Sequence, residues 1–182
     1  MFHSLADIIV VSIFATMNRR RQVTVIGNYD ADSQQYTLGE SIGKLCAEMD
    51  LIVISGGRTG LMEAVAKGCH QAGGISVGLL PGEDFESSNE FNAVVIPTGI
   101  GYARNSMNVL AADVVIVVGG ASGTLSEIAY AWCYRKPIIV LKGGNGWGDK
   151  LIGTSIDHRW DYKIEGANDL DELRTKIEAH LN

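Results

Sequence analysis

An α/β sandwich built on a mostly parallel sheet is what this sequence predicts, and three observations predict it. Short runs of β-branched residues alternate with amphipathic helical patterns from Val23 onward. The runs are almost continuously apolar, as expected of strands covered on both faces. Glycine-rich turns follow the runs and lead straight into helices. Glycine accounts for 22 of 182 residues, about 12% against a usual ~7%. Together these indicate a single Rossmann-like three-layer domain over residues 23–182, preceded by an N-terminal extension over 1–22. The length suits one domain with a sizeable core.

The elements follow in order. Val23 to Gly27 reads as the first strand, and Gly27-Asn28-Tyr29-Asp30 as its exit turn. Ser33 is the expected N-cap of a helix to about Met49, with Leu38, Ile42, Leu45 and Met49 at helical spacing. Leu51 to Ile54 forms the second strand. The first glycine turn, Ser55-Gly56-Gly57-Arg58-Thr59-Gly60, then opens a helix through Ala72, stopped by Gly73-Gly74. Ile75 to Leu80 is the third strand, closed by Pro81-Gly82. An acidic, polar loop from Glu83 to Asn92 precedes a fourth strand, Ala93 to Ile96, and a helix from Tyr102 to Ala111. Val114 to Val118 is the fifth strand. The second glycine turn, Gly119-Gly120-Ala121-Ser122-Gly123-Thr124, opens a helix to about Tyr134. Pro137 to Leu141 is the sixth strand. Lys142 to Arg159 carries Gly143, Gly144, Gly146, Gly148 and Gly153 and reads as a long functional or mobile loop. Asp161 to Ile164 is expected as a short last strand, and Asn168 as the cap of a final helix from Asp169 to about His180.

Composition narrows the function. The net charge is −6, with no basic stripe and no interleaving of basic and aromatic residues, which disfavours nucleic acid as a partner. Cys46, Cys69 and Cys133 form no CxxC and no zinc-ligand spacing; they read as buried apolar cysteines in a reducing, cytoplasmic compartment. The four histidines show no HExxH, so no protein-ligated metal is expected. Leu5 to Met17 is largely apolar, with Asp7 inside it and Arg19-Arg20-Arg21 after it. That order reverses a secretory signal peptide, and the run is short for a membrane span. The expectation is an extension packed on the domain or on a neighbouring subunit, or a true start at Met17. Trp132 and Tyr134 offer further surface to bury, so a homo-oligomer is expected.

The two glycine turns carry the functional signal. A strand, a glycine turn and a helix N-terminus make an anion site, because the backbone comes close and first-turn N–H groups are free to donate. Two such turns imply an anionic, phosphate-bearing small molecule held between them. Neither turn is a GxGxxG dinucleotide fingerprint, and no GxxxxGK[ST] P-loop is present. Arg58, in the first turn, and Arg104, opening the helix after the fourth strand, are candidate cations for a bidentate phosphate contact. Either arginine serves instead as a surface charge if it points to solvent. Thr124 and Glu127 stand three apart at a helix start. This is either a plain capping box or a ligand pair, with Thr124 on an anion and Glu127 facing the ligand. Ser122 is a further phosphate donor. Asn105 adjoins Arg104, with Asn108 about one turn on. Gly27, Tyr29 and Asp30 leave the first strand towards the same crevice.

At these residues the sequence resembles a known family. SGGRTGLMEAVAKG, GISVGLLP, GIGYARNSMNVLAADVVIVVGG, GGASGTLSEIAYAW and KPIIVL occur in an order similar to that of the molybdenum cofactor carrier proteins, across roughly Val23 to Leu141. That family is similar in fold to the lonely-guy phosphoribohydrolases, also called lysine decarboxylase-like proteins. These enzymes cleave the base–ribose bond of cytokinin nucleotides and carry PGGxGTxxE with a distant arginine followed by lysine. This chain departs from the enzyme signature in three ways. Val118 replaces the proline, the GGASGT turn has one extra residue, and Asn105 follows Arg104. Arg104 and Glu127 nevertheless fall where the catalytic arginine and glutamate stand. The resemblance implies a carrier of molybdenum cofactor. The cofactor would be held by Gly27, Tyr29, the Ser55–Gly60 and Gly119–Thr124 turns, Arg104, Asn105 and Glu127, its phosphate on one or both glycine turns with help from Arg104, before delivery to molybdoenzyme apoproteins such as nitrate reductase. It also implies a dimer or tetramer. The loop with Trp147 is expected to close over this cargo. The alternative is a nucleotide 5′-monophosphate phosphoribohydrolase with Arg104 and Glu127 catalytic.

Overall fold

The computed structural model of this chain describes residues 19–181. The expected packing of the apolar N-terminal stretch, and the question of Met17, lie outside them. Seven strands form one sheet in the order β4-β3-β2-β1-β5-β6-β7, with every pairing parallel. The strands are β1 (Gln22–Gly27), β2 (Ile52–Ser55), β3 (Ile75–Leu80), β4 (Val94–Pro97), β5 (Val114–Val118), β6 (Ile138–Leu141) and β7 (Glu165–Ala167). The helices are α1 (Ser33–Glu48), α2 (Leu61–Gln71), α3 (Arg104–Leu110), α4 (Ser122–Cys133), α5 (Trp147–Leu151) and α6 (Leu170–Leu181), with one 3-10 turn at Gly101–Ala103. This is the expected α/β single-domain architecture, with a sheet more uniform than the mostly parallel one predicted. Among the described residues, no helix is long and apolar enough to cross a membrane.

The alternation of the strands builds two cores. Val114, Ile116 and Val118 of β5 point to one face, where they meet Ile42, Leu45, Leu61, Val65 and Ile177 from α1, α2 and α6. Val115 and Val117 point to the other, against Val109, Ile128, Ala131 and Trp132 of α3 and α4. All five β5 side chains are buried. That explains why the run reads as uninterrupted apolar sequence rather than as alternation. Trp132, expected at an oligomer surface, is fully buried. It packs on Tyr162 with ring centroids 4.6 Å apart and donates Nε1–H to Asp157 Oδ1 at 2.9 Å. Tyr134 is exposed, as expected.

Several boundaries move for local reasons. Asp32, not Ser33, caps α1, because Asp32 and Gln35 form a reciprocal capping box. Asp169, not Asn168, caps α6, accepting from the Glu172 N–H at 2.8 Å. The last strand begins at Glu165, four residues later than the expected Asp161. Ile164 instead exchanges backbone bonds with Gly153 and Thr154. The segment expected as an open loop holds α5. Gly144, Gly146 and Gly148 fit tight packing under the second turn: a Cβ on Gly144 would collide with the Gly119 backbone. Cys46 and Cys69 are buried, but Cys133 is exposed at the outer end of α4.

The strand order reverses between β1 and β5. The chain steps outward from β1 through β2 to β4 on one side, and from β5 through β7 on the other. A crevice therefore opens at the carboxyl ends of β1 and β5, where ligands of open α/β sheets bind.

Candidate functional site

A cleft of about 780 Å³ occupies this crevice. Of the residues expected to bind ligand, Gly27, Tyr29, Gly56, Arg58, Arg104, Asn105, Ala121, Ser122, Gly123, Thr124 and Glu127 line it together. Ser55, Gly57, Thr59, Gly60, Gly119 and Gly120 are not on its wall. Most of these shape the turns. Ser55 Oγ accepts from the Gly57 N–H at 3.1 Å, and the Gly120 N–H is spent on Asn28 Oδ1 at 2.9 Å. Met62, Tyr102 and Ser126 also line the cleft. They lie outside the two glycine turns themselves, and only their spacing from Arg58, Arg104 and Glu127 could have pointed to them.

The amino end of α4 forms one wall. Its N-cap is Ala121, which has no side chain able to cap, so Thr124 is already the third residue of the helix. The capping-box reading of Thr124 and Glu127 is therefore overturned. Thr124 Oγ1 donates instead to the Gly27 carbonyl at 3.0 Å, tying α4 to the end of β1. An uncapped helix end leaves first-turn N–H groups and the positive end of the dipole to be met by something other than its own cap. Here that end borders a cleft with two arginines.

Arg104 lies across the opposite wall, with only about a tenth of its side chain exposed. Gly56 makes this possible, since a Cβ there would strike the guanidinium and the Met62 sulfur. Arg104 Nη1 donates to Asn105 Oδ1 at 3.0 Å and reaches Glu127 Oε1 only at 3.5 Å. Asn105 is fixed in turn by donating Nδ2–H to Ser126 Oγ at 2.9 Å. Arg58 stands near the cleft mouth, its guanidinium 5.0 Å above the Tyr29 ring.

Glu127 is buried on the cleft floor and accepts from Asn108 Nδ2 at 2.8 Å. Burial pushes its carboxyl up to about 7, against the Asn108 hydrogen bond and the Arg104 charge, which pull it down. Burial likewise lowers Arg104 from its ordinary value, Glu127 raises it, and neighbouring Arg58 lowers it again. Both shifts oppose ionisation, so desolvation outweighs the mutual attraction of this pair. Arginine stays charged throughout; the carboxyl is the group that changes state near neutrality.

A layer of amides behind the wall escaped sequence reasoning. Asn28 accepts from Gly120 and donates Nδ2–H to Gln35 Oε1 at 3.0 Å, and Gln35 Nε2 donates to the Gly144 carbonyl at 2.6 Å. Asn89 and Asn92 both donate to the Gly57 carbonyl, stapling the acidic loop to the first turn. Asn28→Ala should cost about 1–3 kcal/mol in urea unfolding, because a hydrogen-bonded amide chain is cut in the interior. Trp147, expected as part of a lid, does not line the cleft. It opens α5 beneath the second turn, its N–H bonded to the Gly120 carbonyl. Among the described residues, no group of three or more His, Cys, Asp or Glu is placed to hold a metal ion.

With this geometry in view, comparison with known proteins is informative. The model of the SLOG cluster4 family matches residues 20–171. The chain belongs to that family. The solved molybdenum cofactor carrier protein of Chlamydomonas reinhardtii is 29% identical, with a TM-score of 0.80 over 90% of this chain and 99% of the other. The molybdenum cofactor binding protein of the phototrophic bacterium Rippkaea orientalis is 27% identical, with a TM-score of 0.78 over 91% and 99%. A cytokinin riboside 5′-monophosphate phosphoribohydrolase of Arabidopsis thaliana is 32% identical over 146 residues, 71% of this chain and 63% of the relative. The SLOG cluster4 chain therefore has both carriers and a hydrolase among its relatives.

Proposed function

We propose that this protein binds molybdenum cofactor as cargo, holding the phosphate at the amino end of α4 and on Arg104, and protects it before transfer to a molybdoenzyme apoprotein. One observation carries the reading: a buried arginine with only a long contact to its carboxylate faces an uncapped helix N-terminus across one cleft. Both features favour a phosphate. The carrier proteins among the solved relatives support the identity of the cargo. Gly56, Arg58 and Tyr29 would bound the rest of the molecule, and a homo-oligomer is part of the same proposal. The test is to load purified protein with the cofactor, desalt it, and add cofactor-free nitrate reductase. Reconstitution well above that from an unrelated protein is expected; equal reconstitution refutes the carrier reading.

A second reading is favoured by Glu127. A buried carboxyl beside Arg104 is suited to stabilising a sugar cation or orienting water, so cleavage of a nucleoside 5′-monophosphate to base and ribose 5-phosphate uses the same groups. Release of adenine from AMP, abolished in Glu127→Ala, would establish it. No base release over prolonged incubation would dismiss it.

A further inference from the structure

Two buried polar atoms of the residues that contact Glu127 have no hydrogen-bond partner: Nε of Arg104 and Oδ1 of Asn108. Asn108 is fully buried, and its other amide atom already holds Glu127. An unsatisfied buried acceptor is costly, and what Oδ1 lacks is a donor. The carboxyl that Asn108 faces becomes a donor once it takes a proton. The Arg104 contact points the same way. At 3.5 Å to a single oxygen it is well outside the range of a committed charge-assisted bond, and the same nitrogen is already given to Asn105.

We propose that a dianionic oxyanion enters this cleft together with one proton: Arg104 turns from Glu127 to the ligand, and Glu127 takes the proton from solvent and stays as a neutral acid beneath it. The inference rests on the phosphate-site reading above and adds the charge class of the ligand, a phosphate monoester dianion.

The charges around Glu127 support this. From α3 it meets the Arg104 guanidinium and the neutral Asn108 amide. The cleft floor beneath it is formed by Val25, Ile26 and Gly27 of β1, which bring no charge. Arg58, from the first glycine turn, and Tyr102 face Arg104. With Glu127 ionised, the two cleft arginines leave one net positive charge. With it neutral they leave two, which matches a dianion. An ionised Glu127 would instead repel the ligand and compete for Arg104. In the free protein the carboxyl already sits at about 7. Binding takes Arg104 away and adds a negative neighbour, and both raise it further. Affinity must therefore fall as pH rises above neutrality, by about tenfold per pH unit at most.

Inorganic sulfate is a suitable probe, because it stays a dianion throughout this range. Its affinity would be measured by NMR titration at about pH 6 and about pH 8.5, in the wild type and in Glu127→Gln. The wild type should weaken by about tenfold or more, up to ~30-fold. Glu127→Gln should bind equally at both values and more tightly than the wild type at the higher one. A wild type with no loss of affinity overturns the inference, as does a Glu127→Gln variant that keeps the loss. A second measurement needs no ligand: the ¹³C shift of the Glu127 carboxyl, identified by its disappearance in Glu127→Gln, followed with pH. A midpoint near neutrality is expected; a midpoint in the ordinary carboxylate range overturns the inference whether or not sulfate binds. Failure of sulfate to bind either protein at either pH counts against the phosphate site itself, and the carboxyl titration then decides the inference alone.

Discussion

Arg104→Ala should abolish cofactor retention, with affinity falling about 100-fold or more. The main effect is direct: a bidentate arginine–phosphate contact in a part-buried cleft loses two charge-assisted bonds, each about 1.5–3 kcal/mol. Removing the guanidinium also takes away the charge that lowers Glu127, so the carboxyl stays neutral to higher pH, which offsets only part of the loss. Arg104→Lys should recover only part of the loss. An ammonium carries the charge but has no planar fork, so it cannot hold Asn105 and a phosphate at once. Arg58→Ala should be milder, roughly three- to tenfold, because Arg58 sits over the Tyr29 ring and takes no part in the Arg104, Asn105 and Glu127 contacts. The measurement is the fraction of cofactor that co-elutes after desalting, with circular dichroism confirming the fold. Wild-type retention by Arg104→Ala would remove the central contact of the proposed site.

Much of this was legible in the sequence because it is local. Apolar runs, helical spacing and glycine turns each specify their own few residues, and parallel α/β topology follows once the order alternates. The cleft was legible for the same reason: it forms where consecutive strand ends and helix starts meet, so Gly27, Gly56, Arg104 and Ala121 to Thr124 arrive there together. What escaped depends on helix phase or on distant partners. Ile128, Ala131 and Trp132 lie three and four apart and are all fully buried, while Tyr130 and Tyr134 stack on the outer face. That spacing would have placed Trp132 inside. The T-x-x-E pattern misleads because the helix starts at Ser122, two residues before Thr124, and a capping box is defined by the helix frame rather than by residue types alone. Gly144, Gly146 and Gly148 after β6 suggest mobility in the sequence but serve close packing against Gly119 and Gly120. The bond from Gln35 to Gly144 joins residues 109 apart, and no local pattern signals such a contact.

Glu127→Gln should make the free protein more stable than the wild type above neutral pH, by about 2–3 kcal/mol. The ordinary value of this carboxyl is 4.5, and the folded value is about 7. The native state therefore holds its proton over a window in which the unfolded state has lost it. Stability must fall as pH rises from about 4.5 to about 7 and then level off. Across the full window the loss amounts to ~3 kcal/mol, at 1.36 kcal/mol per unit. Glutamine keeps an acceptor for Asn108 and carries no charge, so this slope should vanish. Urea unfolding of both proteins at about pH 5 and about pH 8.5 isolates the effect, since every other titrating group is shared and cancels in the difference. Parallel stability curves would show that the carboxyl is not held neutral by burial. The location of the cost is what gives it meaning. Other buried polar side chains find partners: Thr24 donates to the Asn108 carbonyl at 2.6 Å, and Ser76 to that of Phe91 at 2.9 Å. Single oxygens of Asn92 and Asp149 also lack a partner, but beside the cleft two such atoms, Arg104 Nε and Asn108 Oδ1, belong to the residues that contact the raised carboxyl of Glu127. A fold that gathers two unpartnered atoms and a raised carboxyl beside one cleft is spending stability where a ligand can return it.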